Sequence, residues 1–345
     1  MQETYELRVQ EEFAGLVFGP SDGRRLGPRG PRLVRLSASD PTLEQIACLS
    51  RTIHLETGRF FFHGWRIRRT YTRAELASAE LFSLSVSRLF EPSGEECGTI
   101  YDESVACPVC GSGAQQISEL RLDLRKAPKA KHIAETIANE TIVSQYLAER
   151  LLESGLTGFQ LLEVRHKARY EDDPVDLRET PSGCELIHLA ELAGVSYSTW
   201  QFDVWLNRPE NKALWERAVA ENAAKLSTRA RHSGVPAPKW YQFNVLSSAA
   251  EIVAPTVVGI APFDEDPAGE CRCALGDLIG LNRLSEVSIS AVSRGEADVV
   301  TTRQFVGVRR GLLRPRRLIL ISARFRDLLE HEAIKGVDVE VAHLV

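Results

Sequence analysis

Cys107-Pro-Val-Cys110-Gly111 carries the densest chemistry in the sequence. Two thiols separated by two residues, in a turn closed by glycine, aim both sulfurs at one tetrahedral ion at about 2.3 Å. That is half a site, because a structural zinc takes four ligands. A second pair, Cys271-Arg-Cys273, stands before Gly276 and Asp277. Cys107, Cys110, Cys271 and Cys273 together would close one four-thiolate zinc site. The second knuckle is CxC in place of CxxC, so Asp277, or Cys97 in Glu-Cys-Gly, is an alternative fourth ligand. A closed site leaves no position for water, so this zinc would staple the fold and not catalyse. A redox CxxC wants a helix N-terminus after a strand to lower the thiol pKa. The flanks here are turn-like and rich in Gly and Ser, which disfavours that use.

Other reactive side chains lack a frame. His63, His166, His188, His232 and His343 sit in no HExxH, and the chain has no GxSxG, GxxxxGK[ST] or GxGxxG. Ser144 and Ser322 precede amphipathic stretches and fit helix N-caps better than nucleophiles. Three acidic loops, at Tyr101-Asp-Glu-Ser104, Glu171-Asp-Asp173 and Phe263-Asp-Glu-Asp-Pro267, read as solvated turns or as an acidic face for a basic partner. The arginines point the other way. Eight lie between Arg303 and Arg326 (303, 309, 310, 314, 316, 317, 324 and 326) with no acid among them. With Arg66, Arg68 and Arg69 beside Phe62, Trp65 and Tyr71, they would suit a phosphate-tracking, base-stacking surface. The net charge of −5 opposes that reading, and pairing of these arginines with the acidic loops is the alternative.

These residues are carried by a pattern that occurs twice. Ile142-Val-Ser144 and Leu320-Ile-Ser322 each open an amphipathic helix. Leu147, Leu151 and Gly158-Phe159 match Phe325, Leu329 and Gly336-Val337 at a constant separation of 178 residues. Glu119–Leu124 resembles Glu286–Ala291 upstream, and one residue out of register each copy ends in Val-x-His, at His166 and His343. A cysteine pair precedes each copy, and the arginine-rich stretch between Thr302 and Leu320 is an insertion in the second. Two copies indicate an internal duplication and not a solenoid. Around them the sequence predicts a helix over 41–50 capped by Asp40, a strand over 59–71, a Thr72/Glu75 capping box and a strand over 82–89. It also predicts helices near 184–194 and 209–229, strands over 199–206 and 240–246, and a linker at 233–238. The fold class is α+β: internally duplicated strand–helix–strand units joined by a zinc-knuckle pair, behind an N-terminal α+β segment. The segments are 1–96 (N-terminal), 97–168 (first knuckle and repeat), 169–250 (insertion with a long helix) and 251–345 (second knuckle and repeat), forming one composite body.

At 345 residues, 43% hydrophobic and 26% charged, the chain has the composition of a globular protein, which excludes a collagen, a coiled-coil rod and a disordered tail. The N-terminus has acids where a signal peptide has bases, and no window reaches 18 uncharged apolar residues. The expectation is a cytoplasmic bacterial protein with no membrane contact. Its seven cysteines are then thiols or metal ligands.

Phe62-His-Gly-Trp-Arg-Ile-Arg-Arg69, Gly98–Ser104 with Cys107–Gly111, and Gly280–Glu286 resemble the double-CxxCG proteins known from myxobacteria. Ile142–Ser144, Leu151–Glu153 and Gly155–Gly158 are similar to a unit of immunity proteins in polymorphic toxin systems. The resemblance covers roughly residues 60–166 and 256–345. It implies a protein partner, a toxin that the chain binds and neutralises. The function expected is therefore a non-enzymatic, zinc-stabilised protein-binding module. The alternative is a nucleic-acid-associated zinc-ribbon protein using the arginine-rich insertion.

Overall fold

A computed structural model describes residues 1–27, 30–87, 89–108, 111–168, 181, 183–194, 205–206, 208–230, 237–259, 271–272, 276–279, 282–307 and 315–345. It is α+β, with more strand than helix.

The N-terminal sheet contains β1 (Gln2–Val9), β2 (Arg32–Ser37) and, after helix α1 (Thr42–Thr57), β3 (Phe62–Thr70). Both β2 and β3 pair antiparallel with β1. Asp40 Oδ1 accepts the Thr42 N–H at 2.9 Å, which satisfies one of the first-turn amides of α1. The helix ends at Gly58, whose φ of +67° is the left-handed cap that glycine adopts without strain. Ile46, Ala47 and Ile53 of α1 close on Leu7, Val9, Val34 and Phe61, with Phe62 and Trp65 packed beside them. Thr72 and Glu75 form the expected capping box at the start of α2 (Arg73–Ser78).

Beyond this point the chain builds two larger sheets. β4 (Leu81–Val86) and β5 (Leu89–Phe90) are followed by a small ribbon of β6 (Tyr101–Asp102) and β7 (Gln115–Gln116). Then come β8 (Ile133–Thr136), β9 (Thr141–Ser144), α3 (Gln145–Glu153) and β10 (Phe159–Glu163). After α4 (Lys212–Ala230) follow β11 (Trp240–Val245), β12 (Leu278–Ile279), β13 (Val287–Ile289), β14 (Val299–Gly307), β15 (Arg316–Ser322), α5 (Ala323–His331) and β16 (Val337–Leu344). One sheet runs β10-β11-β9-β8-β5. The other runs Cys271–Arg272, then β12-β14-β15-β4-β16-β13.

The two sheets repeat one pairing scheme. β11 enters between β9 and β10 antiparallel to both, and β4 enters between β15 and β16 antiparallel to both. The registers agree residue by residue. Ser144 faces Trp240 and Val143 faces Tyr241; the residues 178 further on, Ser322 and Ile321, face Leu81 and Phe82. On the other side Tyr241 and Phe243 face Glu163 and Leu161, as Phe82 and Leu84 face Val341 and Val339. Leu246 donates its N–H to Gly158 O, and Ser87 donates to Gly336 O, both at 2.9 Å. Each unit therefore receives an inner strand from the other half of the chain. A strand's alternation fixes its faces but not its neighbours, so this order is not set within either strand alone.

The helices follow from their caps. Ser144 Oγ accepts the Leu147 N–H and Ser322 Oγ accepts the Phe325 N–H, as expected of N-caps. Leu147 and Leu151 of α3, and Phe325 and Leu329 of α5, then enter one shared core with Phe82, Val143, Phe243, Ile321 and Val341. Aromatic contacts cross it, with the Phe243 and Phe325 ring centroids 6.0 Å apart.

Asp298 joins the two units electrostatically. Its Oδ2 accepts the Thr157 N–H at 3.0 Å and its Oδ1 accepts Ser322 Oγ–H at 2.8 Å, with Arg324 at 3.4 Å. Burial pushes this carboxyl up, but the hydrogen bonds from Ser322 and Thr157 and the Arg324 charge outweigh it and hold it below the usual range. The unfolded chain then takes up the proton first. The stabilisation is full above pH about 4 and is lost as pH falls through the folded value. Asp298→Asn is expected to cost about 2–3 kcal/mol in urea unfolding at pH 7, and distinctly less at pH 3. An equal cost at both pH values would show that the charge is not what matters.

Candidate functional site

The β6–β7 ribbon carries the first cysteine turn. Tyr101 pairs with Gln116 and Asp102 with Gln115. Tyr101 and Gln116 anchor the inner face: Tyr101 Oη–H donates to Glu140 at 2.7 Å, and the Gln116 and Gln242 amides bond each other at 2.7 and 3.2 Å. Asp102 Oδ1 accepts the Ser104 N–H at 2.9 Å, so the acidic loop at 101–104 is a side-chain-closed turn.

Cys107 follows, buried at 7% exposure and not in a disulfide. The Gly111 N–H donates to Cys107 O at 2.7 Å, and the Cys107 N–H donates to Ser112 O at 2.8 Å. Gly111 has φ +71°, a conformation that disfavours side chains with a Cβ. These two hydrogen bonds bring the chain on either side of residues 109–110 together. Cys110 and Cys273 lie outside the described residues. Cys271 is described for its backbone alone, in a short strand where it pairs with Ile279. Among the described residues, no group of three or more His, Cys, Asp or Glu is arranged to hold a metal ion. The two alternative ligands have other surroundings. Cys97 is 1% exposed, and burial pushes its thiol up to about 11. Asp277 is buried, and its Oδ1 accepts the Phe305 N–H at 2.9 Å, which fixes a residue of β14.

The histidines are placed as parts of the fold. His166 Nδ1 accepts the Leu124 N–H at 3.2 Å, which leaves the other ring nitrogen to carry the proton. His343 Nε2 lies 2.7 Å from Glu286. Both sit where a strand end pairs parallel with another strand, His166 opposite Leu122 and His343 opposite Ser288. His63 and His188 are exposed, and His232 is outside the described residues.

Each described arginine of the insertion region has an intramolecular partner. Arg303 pairs with Glu251 at 2.6 Å, Arg316 with Glu135 at 2.8 Å, Arg324 with Asp298, and Arg326 with Asp327. Arg317 lies over the Phe305 ring, 4.5 Å from its centroid, and donates to Ser248 O and Thr302 O. Glu135 is buried, and burial raises its pKa against the Arg316 charge. Arg309, Arg310 and Arg314 are outside the described residues. In β3, Arg69 is 2% exposed and bonds Glu3, Glu340 and Leu284 O, which ties the N-terminal sheet to β16. Arg66 and Arg68 share Glu6. The aromatic residues beside them face cores, Phe62 and Trp65 in one and Tyr71 in the other. Among the described residues, the acids that neutralise these arginines lie outside the 101–104 loop; the acidic loops at 171–173 and 263–267 lie outside the described residues.

Sequence reasoning missed the outer face of the ribbon. Ile100 and Ile117 flank the two pairs and are bridged by Ile117 N–H to Ile100 O at 3.0 Å. They are 57% and 64% exposed. Residues 89–120 contain six acids and no Lys or Arg, but Lys167 and Arg121 reach this segment from elsewhere in the chain, 3.2 and 3.9 Å from where a Cβ on Gly98 would lie. Among the described residues, no helix is long and apolar enough to cross a membrane. No family model, curated protein or solved structure matches the chain.

Proposed function

We propose that the chain is an internally duplicated, zinc-stapled, non-enzymatic protein-binding module of the bacterial cytoplasm, and that its binding neutralises a cognate toxin. The duplication is supported by the two matching registers, with their capping serines and reciprocal strands. The zinc would be held by Cys107, Cys110, Cys271 and Cys273; the reading is supported by the spacing of the two pairs in the sequence. Zinc bound there would supply folding energy and leave no open coordination position.

The observation that carries protein binding over nucleic-acid binding is the fate of the arginines. A phosphate-binding surface keeps its guanidinium groups available for phosphate. Here Arg303, Arg316, Arg324, Arg326, Arg69 and Arg66 pair with Glu251, Glu135, Asp298, Asp327, Glu3, Glu340 and Glu6, with Arg69 and Arg316 on partly or fully buried partners. The toxin reading rests on the resemblance of the 142–158 unit.

Co-expression with a polymorphic toxin encoded beside it is expected to restore growth of the producing cells, and unrelieved killing contradicts the reading. Protein that copurifies with RNase-sensitive nucleic acid, and binds oligonucleotides with a steep salt dependence, would favour the nucleic-acid alternative. Replacing Cys107 and Cys110 together with serine is expected to lower the melting temperature by about 5–10 °C, because the staple is lost. An unchanged melting curve contradicts the staple.

A further inference from the structure

We infer that the outer edge of β3 is the docking site of this module, and that it takes an extended protein segment of alternating acidic and apolar residues, added as a further antiparallel strand. The inference rests on the protein-binding reading above and names its surface and the chemistry of its partner. β3 ends the N-terminal sheet and pairs there with β1 alone. In an antiparallel sheet, successive residues turn their N–H and C=O alternately to one neighbour and to the other. Ala38 N–H donates to Glu3 O and Gln10 N–H donates to Phe61 O, so odd-numbered residues of β1 bond towards β2 and even-numbered ones towards β3. Ile67 and Arg69 stand opposite Tyr5 and Glu3, so their own N–H and C=O point outward from the sheet. Neither has a backbone partner on that side among the described residues. Main-chain bonds give such a strand addition its affinity, and alternate side chains give it specificity.

A cleft of about 670 Å³ lies beside this edge, lined by residues 66–70 on one side and by residues of α5 and β16 on the other. Ile67 lines it together with Leu76, Ile334 and Val337, which suits apolar side chains. Arg66 and Arg68 lie on the opposite face of β3, which the register shares with Arg8 and Arg35 and with one acid, Glu6. The buried Glu6 carboxylate serves Arg35, Arg66 and Arg68 together, and all three guanidinium side chains are more than half exposed. Arg8 is exposed and has no ion pair among the described residues. The other cations of the cleft, Arg69, Arg283, Arg316 and Arg326, are matched by Glu3, Glu340, Glu135 and Asp327. The cleft's remaining acids, Glu330 and Asp338, belong to the α5–β16 side. Charge therefore sorts an incoming strand, with its acids opposite Arg66 and Arg68 and its apolar residues opposite Ile67. A second copy of this edge is disfavoured, because Phe62–Thr70 has three arginines and no acid, and like charges would stand opposite each other. A nucleic-acid backbone has no alternating N–H and C=O groups to complete the ladder.

The test is fluorescence anisotropy of a labelled hexapeptide that alternates valine and glutamate, titrated with the zinc-supplemented full chain. In the antiparallel addition its valines stand opposite Ile67 and Arg69 and bond the edge, and its glutamates stand opposite Arg66 and Arg68. Methylating the valine nitrogens is expected to weaken binding at least about tenfold, whereas methylating the glutamate nitrogens, which point away from the edge, preserves it. A peptide with lysine in place of glutamate is expected not to bind. Arg66→Gln/Arg68→Gln is expected to weaken binding of the parent peptide, with a melting curve to check that the variant is folded. Binding that survives methylation of the valines, or a lysine peptide that binds as well as the parent, overturns the inference. Displacement of the peptide by a single-stranded oligonucleotide also overturns it and assigns the face to nucleic acid. If the parent peptide does not bind, this edge is excluded, while the protein-binding reading still stands or falls on the co-expression test.

Discussion

Gly158→Ala is expected to destabilise the protein by more than about 4 kcal/mol, and Gly336→Ala by a similar amount. Both glycines have strongly positive φ, +98° and +111°. A Cβ on Gly158 would lie 2.1 Å from Val299 O, and one on Gly336 would lie 2.4 Å from Ile133 O. These are backbone atoms of the opposite unit. The segments cannot separate, because Val299 N–H donates to Thr157 O at 3.1 Å and His132 N–H donates to Lys335 O at 2.9 Å. Gly155 supplies the control. Its φ is +65° but the space around its Cβ is open, so Gly155→Ala carries only the left-handed penalty of about 1–2 kcal/mol. Urea melts of the three variants separate the effects. Equal shifts at 155, 158 and 336 would mean that the two units do not meet as closely as described.

Cutting the chain between the units should leave it assembled. A specific protease site placed within residues 170–180 would yield one fragment carrying β4 and a second carrying β11. β4 is an inner strand of the second fragment's sheet, and β11 is an inner strand of the first fragment's sheet. The nicked protein is expected to elute as one species, to remain together with a chelator present, and to unfold in one transition. The chelator arm matters because a shared zinc alone could tether the pieces. Fragments that separate in native buffer would contradict the strand exchange.

Local structure was legible in the sequence wherever a short rule decides it. The Thr72/Glu75 box and the Ser144 and Ser322 caps form as their side chains dictate. Helix α1 runs seven residues beyond the expected end at Ser50, because nothing breaks the pattern before Gly58. Long-range placement was not legible. Leu81–Val86 alternates as a strand should, yet nothing within it shows that its neighbours lie at 316–322 and 337–344. The same holds for the arginines. Arg316 finds Glu135, 181 residues away, so a run of like charge in sequence is not one in space. Trp205 and Leu206, read as the end of a strand, are helical and pack with Leu189 and Leu214; residues 199–204 lie outside the described chain. Aromatic and β-branched residues favour strands only where a pleated neighbour exists. At the candidate site the sequence identified the Cys107 turn but not the exposed face beside it, because Ile100 and Ile117 are brought opposite each other only by the ribbon's pairing.

Metal content of protein purified under anaerobic conditions is the most direct test of the zinc-stapled module. One zinc per chain is expected, retained through gel filtration and lost when Cys107 and Cys110 are both replaced by serine. Metal-free wild-type protein that is fully folded would contradict it.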